Sequence, residues 1–395
     1  MTANKKKRRR PNVLPRLFVA IVLGMVIGLC APDCVIRATN CWRDIYWQFI
    51  RFFVPFIIIG LVTPAIADTG RDAGRVLLLT LGIAYASTLL SGFFAYFMSQ
   101  SVFPAVMEPG ALSKIDPKFL PAYFKMPIPP LMDVTTALFT AFMLGLGIVS
   151  VRAEVLARAA SELRDVVTLT IAQVFVPLLP TYICAVIADL AASGKFAAVG
   201  GGCVKIMLLA MVVTTTIVVV QYIIAGAVAH RNPFKALWTM LPAYLIGWGC
   251  CSSAATIPYT LRQTRRNGVS YETADLVIPL CSNVHLAGSM ANMVVYAAGM
   301  LVLAGETASF GSYVEYILMI SVIAVASPGV PGGVVLASAA VAETALGFTP
   351  ERYAILVAVY MALDGMGTAC NLTGDGAIAM IVDKLRHRSA DSEES

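Results

Sequence analysis

Residues 362–375 read ALDGMGTACNLTGD and lie inside an apolar run, 353–382, that is long enough to cross a bilayer. A carboxylate near the middle of a membrane costs about 2.5–3.5 kcal/mol, so a sequence that keeps two of them needs a partner for their charge. Asp364, Asn371 and Asp375 fall on one helix stripe, within about 40° of each other. One polar stripe on an apolar helix indicates the wall of a buried ion or substrate site.

The composition is that of a polytopic membrane protein. Of the 395 residues, 58% are hydrophobic and only 13% are charged, whereas a soluble chain of this length exposes far more charge. The net charge of +6 therefore gives no argument for nucleic acid as a partner. The nine cysteines contain no Cys-x-x-Cys pair, so no zinc or redox motif is visible and free thiols are expected.

Eight apolar segments have about the length of 20 residues that a transmembrane helix requires. They are 15–31, 45–67, 76–99, 131–150, 166–191, 203–229, 273–303 and 353–382. A basic tail, 1–14, precedes the first segment, which we interpret as a retained helix rather than a cleaved signal. A second tail, 383–395, ends the chain, and its acidic end, 389–395, is expected to be disordered.

Two further apolar stretches are interrupted in the middle by small residues and proline. The stretch 243–261 contains GCCSSAATIP at 249–258, and the stretch 316–346 contains SPGVPGG at 327–333. A helix broken there leaves backbone groups unpaired, which lipid does not tolerate. We therefore predict two re-entrant hairpins with buried tips; kinked ordinary spans are the alternative. Each hairpin precedes a span with polar residues, and this doubled arrangement is typical of transporters with inverted repeats and a midplane site.

The distribution of charge predicts that both termini are cytoplasmic. With the N-terminus inside and the two hairpins entering from opposite sides, 20 of the 29 lysine and arginine residues fall on the inside. The long outer loop, 100–130, holds only three of them, as the positive-inside rule requires. A multi-pass inner (plasma) membrane protein is therefore expected.

Three motifs in the last third of the chain resemble the dicarboxylate/amino acid:cation symporter family, which includes the glutamate transporters. Asp364 with NLTGD at 371–375 is similar to that family's last-helix motif. SSAATIP at 252–258 is similar to its serine-rich first hairpin, and GVPG at 329–332 to the tip of its second hairpin.

The resemblance implies an all-α fold of eight transmembrane helices and two re-entrant hairpins, assembled as a homotrimer. It also implies an elevator mechanism, in which a transport domain slides against a fixed scaffold. The N-terminal part, 15–240, would contain the scaffold helices, at about 45–67 and 131–191, together with peripheral helices of the transport domain. The core transport domain would be 241–382.

The same resemblance implies a substrate site on the last helix. Asp364 matches the position that receives the substrate's amino group, and Asn371 matches the position that holds its carboxylate. The other expected contacts are Ser252, Ser253, Ser289, Val330, Pro331, Gly332, Gly367 and Thr368. A pairing of Asp364 with another protein group, and a helix–helix hydrogen bond of Asn371, are the alternatives.

Two sodium sites are implied in the same way, since sodium is a hard cation that takes oxygen ligands. Asp375 matches the family's sodium-binding aspartate, and Asn371 with carbonyls near Cys281 and His285 would complete its shell. The second site would use carbonyls near Ala324, Val325 and Ser327 with Asn283.

Two departures from the family pattern bear on the cargo. Gly367 stands where carriers of acidic substrates have arginine, and Cys251 stands at the alternative source of a guanidinium. A side-chain carboxylate would therefore be desolvated without a bidentate partner, which predicts a neutral amino acid. Ala287 replaces an aspartate that helps to hold a further sodium ion.

His285 is the only histidine within a predicted span. Imidazole changes its charge between pH 5 and 8, so we hypothesise that His285 carries a proton in place of one sodium ion. The alternative is a neutral histidine that hydrogen-bonds a carbonyl.

The sequence therefore predicts a secondary active transporter that couples uptake of a small, neutral amino acid to a sodium gradient, with a proton as a further coupled ion. A symporter of dicarboxylates or acidic amino acids, a proton-coupled carrier and, in a different class, an anion-conducting pore remain alternatives. No His-Glu-x-x-His, Gly-x-Ser-x-Gly or ATP-binding loop is present, which argues against an enzyme or a primary pump.

Overall fold

The computed structural model describes residues 13–69, 75–110, 120–194, 196–326 and 332–393, which form helices and connecting loops without a strand. Six helical stretches within these residues are long and apolar enough to cross a membrane. They are Asp33–Pro64, Val76–Val106, Glu154–Ala192, Val199–Ala229, Tyr271–Ala304 and Pro350–Arg386. The chain is therefore a multi-pass helical membrane protein.

Fifteen α-helices and one π-helical turn follow one another in the described part of the chain. They are α1 Val13–Cys30, α2 Asp33–Thr69, α3 Arg75–Val106, α4 Val134–Val151, α5 Glu154–Thr170, the π-helical turn Ile171–Phe175, α6 Val176–Ala192, α7 Phe196–Ala229, α8 Pro233–Cys250, α9 Ser253–Arg266, α10 Tyr271–Val284, α11 Ala287–Ala304, α12 Phe310–Ala326, α13 Gly333–Ala337, α14 Ala339–Leu346 and α15 Pro350–Glu393.

Several helices are longer than their apolar segments. Helix α2 begins at Asp33, not near residue 45, because polar residues in its first turns find partners inside the protein. Arg43 lies 2.9 Å from Asp44 and 3.2 Å from Asp189, and Asn40 donates to Asp189 Oδ1 at 2.9 Å. Polar residues lower the mean hydropathy of a sequence window, so the predicted segment stopped short of them although the helix includes them.

The predicted segment 166–191 is likewise the second half of one continuous helical rod, α5 to α6. The π-helical turn at its centre precedes Pro177 and Pro180, which have no backbone N–H to donate to the preceding turn. The hydroxyl of Tyr46 donates to the Phe175 carbonyl at 2.9 Å and satisfies one acceptor there.

The C-terminal end differs from the prediction of a disordered acidic tail, since α15 continues to Glu393. Asp383 accepts hydrogen bonds from the backbone N–H and the hydroxyl of Ser270, at 3.3 and 2.6 Å, and Arg386 pairs with Glu272. These contacts tie the polar end of α15 to the start of α10. The basic tail, 1–14, lies almost wholly outside the described residues.

The serine-rich stretch separates two helices that pack against each other, α8 and α9. The break falls at Cys251 and Ser252, with Cys251 in the left-handed region at φ 49°. The two arms cover 233–266, so the predicted stretch 243–261 has the right centre and is too short. Asn232 begins the first arm as a helix cap, accepting from the Lys235 N–H at 3.0 Å.

The second interrupted stretch has the same form. Helix α12 ends at Ala326 and the short helices α13 and α14 return along it, so the pair begins at Phe310 rather than near 316. Its central residues, 327–331, lie outside the described residues, and with them the predicted contacts Ser327, Val330 and Pro331.

The predicted span 273–303 is divided at His285 and Leu286 into α10 and α11. Helices α11 and α15 form the centre of the molecule. In the spans Tyr271–Ala304 and Pro350–Arg386, 89% of the most apolar window is buried, compared with 28% in Val76–Val106. The helices that carry polar residues therefore lie inside the protein, and more apolar helices surround them.

Candidate functional site

The polar stripe of α15 is buried, as its cost in a membrane requires. Asp364, Asn371 and Asp375 are 7%, 3% and 1% exposed. Helix α15 packs against α7, α8, α10 and α11, so each of the three side chains faces another helix rather than lipid.

Asp364 lies against the second interrupted pair. Its Oδ2 accepts a hydrogen bond from the Gly332 N–H at 3.1 Å. Gly332 precedes α13 with φ 74°, and a Cβ at this position would lie 2.5 Å from Met361 Sδ. Glycine therefore allows both the left-handed backbone and the close approach that brings this N–H to the carboxylate.

The first interrupted pair reaches α15 one residue further along. A Cβ on Gly365 would lie 2.1 Å from the Trp248 carbonyl oxygen and 3.0 Å from Cys251 Sγ. Ser252 and Ser253, which begin α9, are partly buried beside this contact. Cys251 at the first break and Gly332 beside the second thus lie against α15 at positions 365 and 364.

Asn371 holds the first turn of α11. Its Oδ1 accepts from the N–H groups of Gly288 and Ser289, at 2.7 and 3.3 Å, and its Nδ2 donates to Ser289 Oγ at 2.9 Å. These are the helix–helix hydrogen bonds of the alternative interpretation. One hydrogen of Nδ2 has no partner in this set, so the binding of a substrate carboxylate by Asn371 stays a prediction.

His285 pairs with Asp375 in the interior. His285 Nδ1 lies 2.9 Å from Asp375 Oδ1 and 3.2 Å from the Asn371 carbonyl oxygen. Both of these atoms are acceptors, so Nδ1 carries a hydrogen in either charge state of the ring. On the other side of the ring, Nε2 lies 3.1 Å from Ser87 Oγ and 3.1 Å from Gln221 Nε2.

The oxygens around this pair have the chemistry of a site for a hard cation. Besides the Asp375 carboxylate and the Asn371 carbonyl, Gln221 Oε1 is buried without a partner. It lies 2.5 Å from the Cβ position of Gly374, the residue before Asp375. Within the described ranges no group of three or more His, Cys, Asp and Glu side chains could hold a metal ion. Carboxylate, carbonyl and amide oxygens are donors that suit a hard cation such as sodium.

The other expected cation ligands are less well gathered. The Cys281 carbonyl accepts from the His285 N–H at 2.8 Å, so it takes part in the last turn of α10. Ala324 and Val325 lie in the last turn of α12, where carbonyls lack intrahelical partners. Asn283 is exposed, and its amide lies 3.4 Å from the Pro279 carbonyl.

Sequence reasoning missed several residues of the site. Ser87 and Gln221 reach His285 from α3 and α7, and Asn292 of α11 lies beside Gly367. Gln221 carries a visible signal, since it is a lone amide in an apolar run. Which helix it would face depends on packing, which the sequence does not give.

A separate cavity of about 970 Å³ lies between α2, residues 120–127, α6 and the start of α15. Arg43 lines it with the three carboxylates to which it is paired, Asp44, Asp189 and Glu351. Neither Asp364 nor Asn371 borders this space, so it is distinct from the site on α15.

A multi-pass chain that buries carboxylates beside two interrupted helix pairs is built as a membrane transporter. The chain belongs to the sodium:dicarboxylate symporter family, whose model matches residues 13–385. The family consists of transporters, so the chain is a transporter and not an enzyme.

Several relatives resemble the chain over nearly its whole length. It is 23% identical over 397 residues to the serine/threonine transporter SstT of Streptococcus thermophilus (strain ATCC BAA-250 / LMG 18311), covering 96% of this chain and 98% of the relative. It is 22% identical over 396 residues to the protein of the same name from Acinetobacter baylyi (strain ATCC 33305 / BD413 / ADP1), covering 95% and 98%. The corresponding protein of Acinetobacter baumannii (strain AYE) is 23% identical over 393 residues, covering 95% and 97%.

Proposed function

We propose that this protein couples the uptake of a small, neutral amino acid to the sodium gradient. The observation that carries the proposal is the buried Asp364 carboxylate between the two helix breaks, with a glycine one turn away at Gly367. The carboxylate offers a counter-charge to an ammonium group, and the glycine offers no guanidinium to a second carboxylate. The names of the relatives, serine/threonine transporters, agree with a small neutral cargo.

In this proposal the substrate ammonium donates a charge-assisted hydrogen bond to the Asp364 carboxylate. The bond is stronger than in water because the carboxylate is buried in surroundings of low dielectric constant. The substrate carboxylate meets the remaining hydrogen of Asn371 Nδ2 and the backbone N–H groups at the start of α9, near Ser253. Ser289 and Thr368 lie on the buried surfaces of α11 and α15 that enclose the substrate. Both ends of a zwitterion therefore have partners of opposite charge or polarity.

Sodium is the coupled ion of the proposal. Its ligands would be the Asp375 carboxylate, the Asn371 carbonyl and the Gln221 amide oxygen. The His285 Nδ1–H competes for two of these oxygens, so binding of the ion requires this side chain to shift. The hypothesis that His285 carries a proton stays a prediction. Uptake driven by a pH step in sodium-free buffer would support it, and the absence of such uptake while sodium remains effective would contradict it.

We also propose the architecture in which this site works. Helices α1, α2 and α4–α6 pack mainly on each other, and α3 and α7 pack on the central α11 and α15. The first group would form the scaffold of a homotrimer, and the second would move with both interrupted pairs as an elevator. The pairs would be re-entrant hairpins, with both termini cytoplasmic. Cysteine accessibility at residues 5, 259 and 384 from each side of the membrane tests the orientation.

Proteoliposomes that contain the full chain test the function. We expect saturable, sodium-driven uptake of small neutral amino acids, with counterflow when the inside is loaded with unlabelled substrate. Glutamate and a dicarboxylate such as succinate should compete poorly. Preferred uptake of either acid would contradict the neutral cargo, and anion current without counterflow would favour a pore.

A further inference from the structure

Asn292 carries an amide without a hydrogen bond to any residue that the structure describes. The residue is fully buried at 0% exposure, and both Nδ2 and Oδ1 lack a partner. A buried amide without partners costs free energy that one bound hydroxyl group could recover. Because nine in ten buried polar groups are hydrogen-bonded, an amide with two unpaired atoms calls for an explanation.

The position of Asn292 places this amide at the substrate site. On α11 it follows Ser289 by three residues and precedes Tyr296 by four, so the three side chains lie on one helix face. Helix α11 packs along α15 on that face. Among the described residues the buried Tyr296 hydroxyl also lacks a partner, and Tyr296 lies close enough to Asp364 for the two side chains to interact electrostatically.

Gly367 brings the backbone of α15 close to the amide. A Cβ built on Gly367 would lie 3.0 Å from Asn292 Nδ2 and 3.5 Å from the Ser289 nitrogen. Gly367 follows Asp364 by one helical turn, so it faces the same space as the carboxylate that would bind the ammonium group. Any side chain at this position would press on the amide.

We propose that Asn292 recognises a hydroxyl group on the substrate's side chain. This inference rests on the proposed function, because Asp364 must first fix the amino end of the ligand. The hydroxyl oxygen then accepts from Nδ2, while its hydrogen donates to Oδ1 or a neighbouring acceptor. A hydroxymethyl group would give both amide atoms a partner, whereas an alkyl side chain would leave them unpaired.

The test compares serine with alanine, which differ by this hydroxyl group alone. In proteoliposomes, the native chain should take up serine with at least about tenfold higher efficiency than alanine. Asn292→Leu, which has a similar volume, should bring the ratio to about one while alanine uptake persists. Without substrate this variant should melt no lower than the native chain, since it removes two unpaired polar atoms.

Two further variants separate recognition from folding. Tyr316→Phe removes another buried, unpaired hydroxyl, on α12, and should leave the ratio unchanged. Gly367→Ala puts a methyl group against the Asn292 amide. It should weaken the binding of serine more than the binding of glycine, and substrate-induced thermal shifts measure both.

The outcomes distinguish this inference from the proposed function. A serine preference that survives in Asn292→Leu overturns the inference, as does an equal loss of serine and alanine, which would indicate a structural role for the amide. Sodium-driven uptake without any serine preference in the native chain overturns the inference and leaves the proposed function intact. No uptake of any amino acid overturns both.

Discussion

Asp364 is buried, and its partners within the described residues are uncharged: the Gly332 N–H at 3.1 Å and the Tyr360 hydroxyl. In the proposed function, this buried carboxylate takes the substrate's ammonium group as its counter-charge. This distinguishes it from Asp375, whose partner, His285, belongs to the protein.

Replacing Asp364 with asparagine keeps the shape of the side chain and removes its charge. Loss of one partner of a buried charge pair costs about 2–5 kcal/mol, so we expect amino acid binding to weaken by at least about 30-fold. Substrate-induced thermal shifts measure this directly. If a ligand without an amino group proved to be the best one and bound this variant as well as the native chain, a dicarboxylate cargo would replace the proposed one.

Asp375→Asn should act on the ion rather than on the amino acid. We expect the sodium concentration for half-maximal uptake to rise by about tenfold or more, because the only acidic ligand of the proposed site is lost. Asp275→Asn is the control, since Asp275 lies on the exposed side of α10 in a pair with Arg265. Unchanged sodium activation in Asp375→Asn would exclude Asp375 from the site.

At the level of residues, periodicity aligned the polar residues of one helix, and three polar residues that meet them from other helices were missed. Asp364, Asn371 and Asp375 were visible because helical periodicity alone aligns them. Ser87, Gln221 and Asn292 were not, although each is a polar residue in an apolar run. Their role depends on the rotation of three other helices about their axes, which only packing fixes.

Among the helices, close backbone contact determines how α15 meets the first interrupted pair. A Cβ at Gly365 would lie 2.1 Å from the Trp248 carbonyl oxygen, so a side chain there would force α8 away. Such overpacking costs about 1–3 kcal/mol. We expect Gly365→Ala to lower the melting temperature and to reduce uptake.

Gly249→Ala is the matched control on the same helix pair. Nothing lies within 4 Å of a Cβ at Gly249, and alanine is the better helix former there, so the melting temperature should stay or rise. A larger effect at residue 249 than at residue 365 would show that α8 and α15 do not meet as described.

The sequence located the break in each interrupted pair but not the length of the helices on either side of it. Clustered small residues mark these breaks because they act on the local backbone, whereas proline alone does not, since Pro55 and Pro64 lie inside α2. The long helices α2 and α15 likewise extend past their apolar segments, because Asp189 pairs with Arg43 of α2 and Ser270 donates to Asp383 of α15. Those partners lie more than a hundred residues away in the sequence.

Across the whole molecule, two ion pairs join α2 to the C-terminal helices. Arg51 lies 3.0 Å from Glu343 of α14, and Arg43 lies 3.4 Å from Glu351 of α15. If the C-terminal helices slide against α2 during transport, both pairs must break in each cycle.

A double-mutant cycle with Arg51→Gln and Glu343→Gln measures the first of these pairs. About a third of each side chain is exposed, so we expect a coupling energy of at most about 1 kcal/mol in thermal unfolding. Transport should nevertheless change, because the pair stabilises one position of the moving part over another. An unchanged uptake rate in all three variants would indicate that α2 and α14 stay together during transport.

Glycines at the contacts of α15 also bear on how such a protein can change its cargo over time. Gly332 and Gly288 abut α15, and Gly365 of α15 abuts α8; a Cβ on each would crowd a neighbouring atom, so few substitutions are open at these contacts. Beyond Gly288, helix α11 presents ordinary side chains on the face that packs along α15. A new substrate preference should therefore arise by substitution at positions such as 289, 292 and 296, while the glycines at these helix contacts stay unchanged in related proteins.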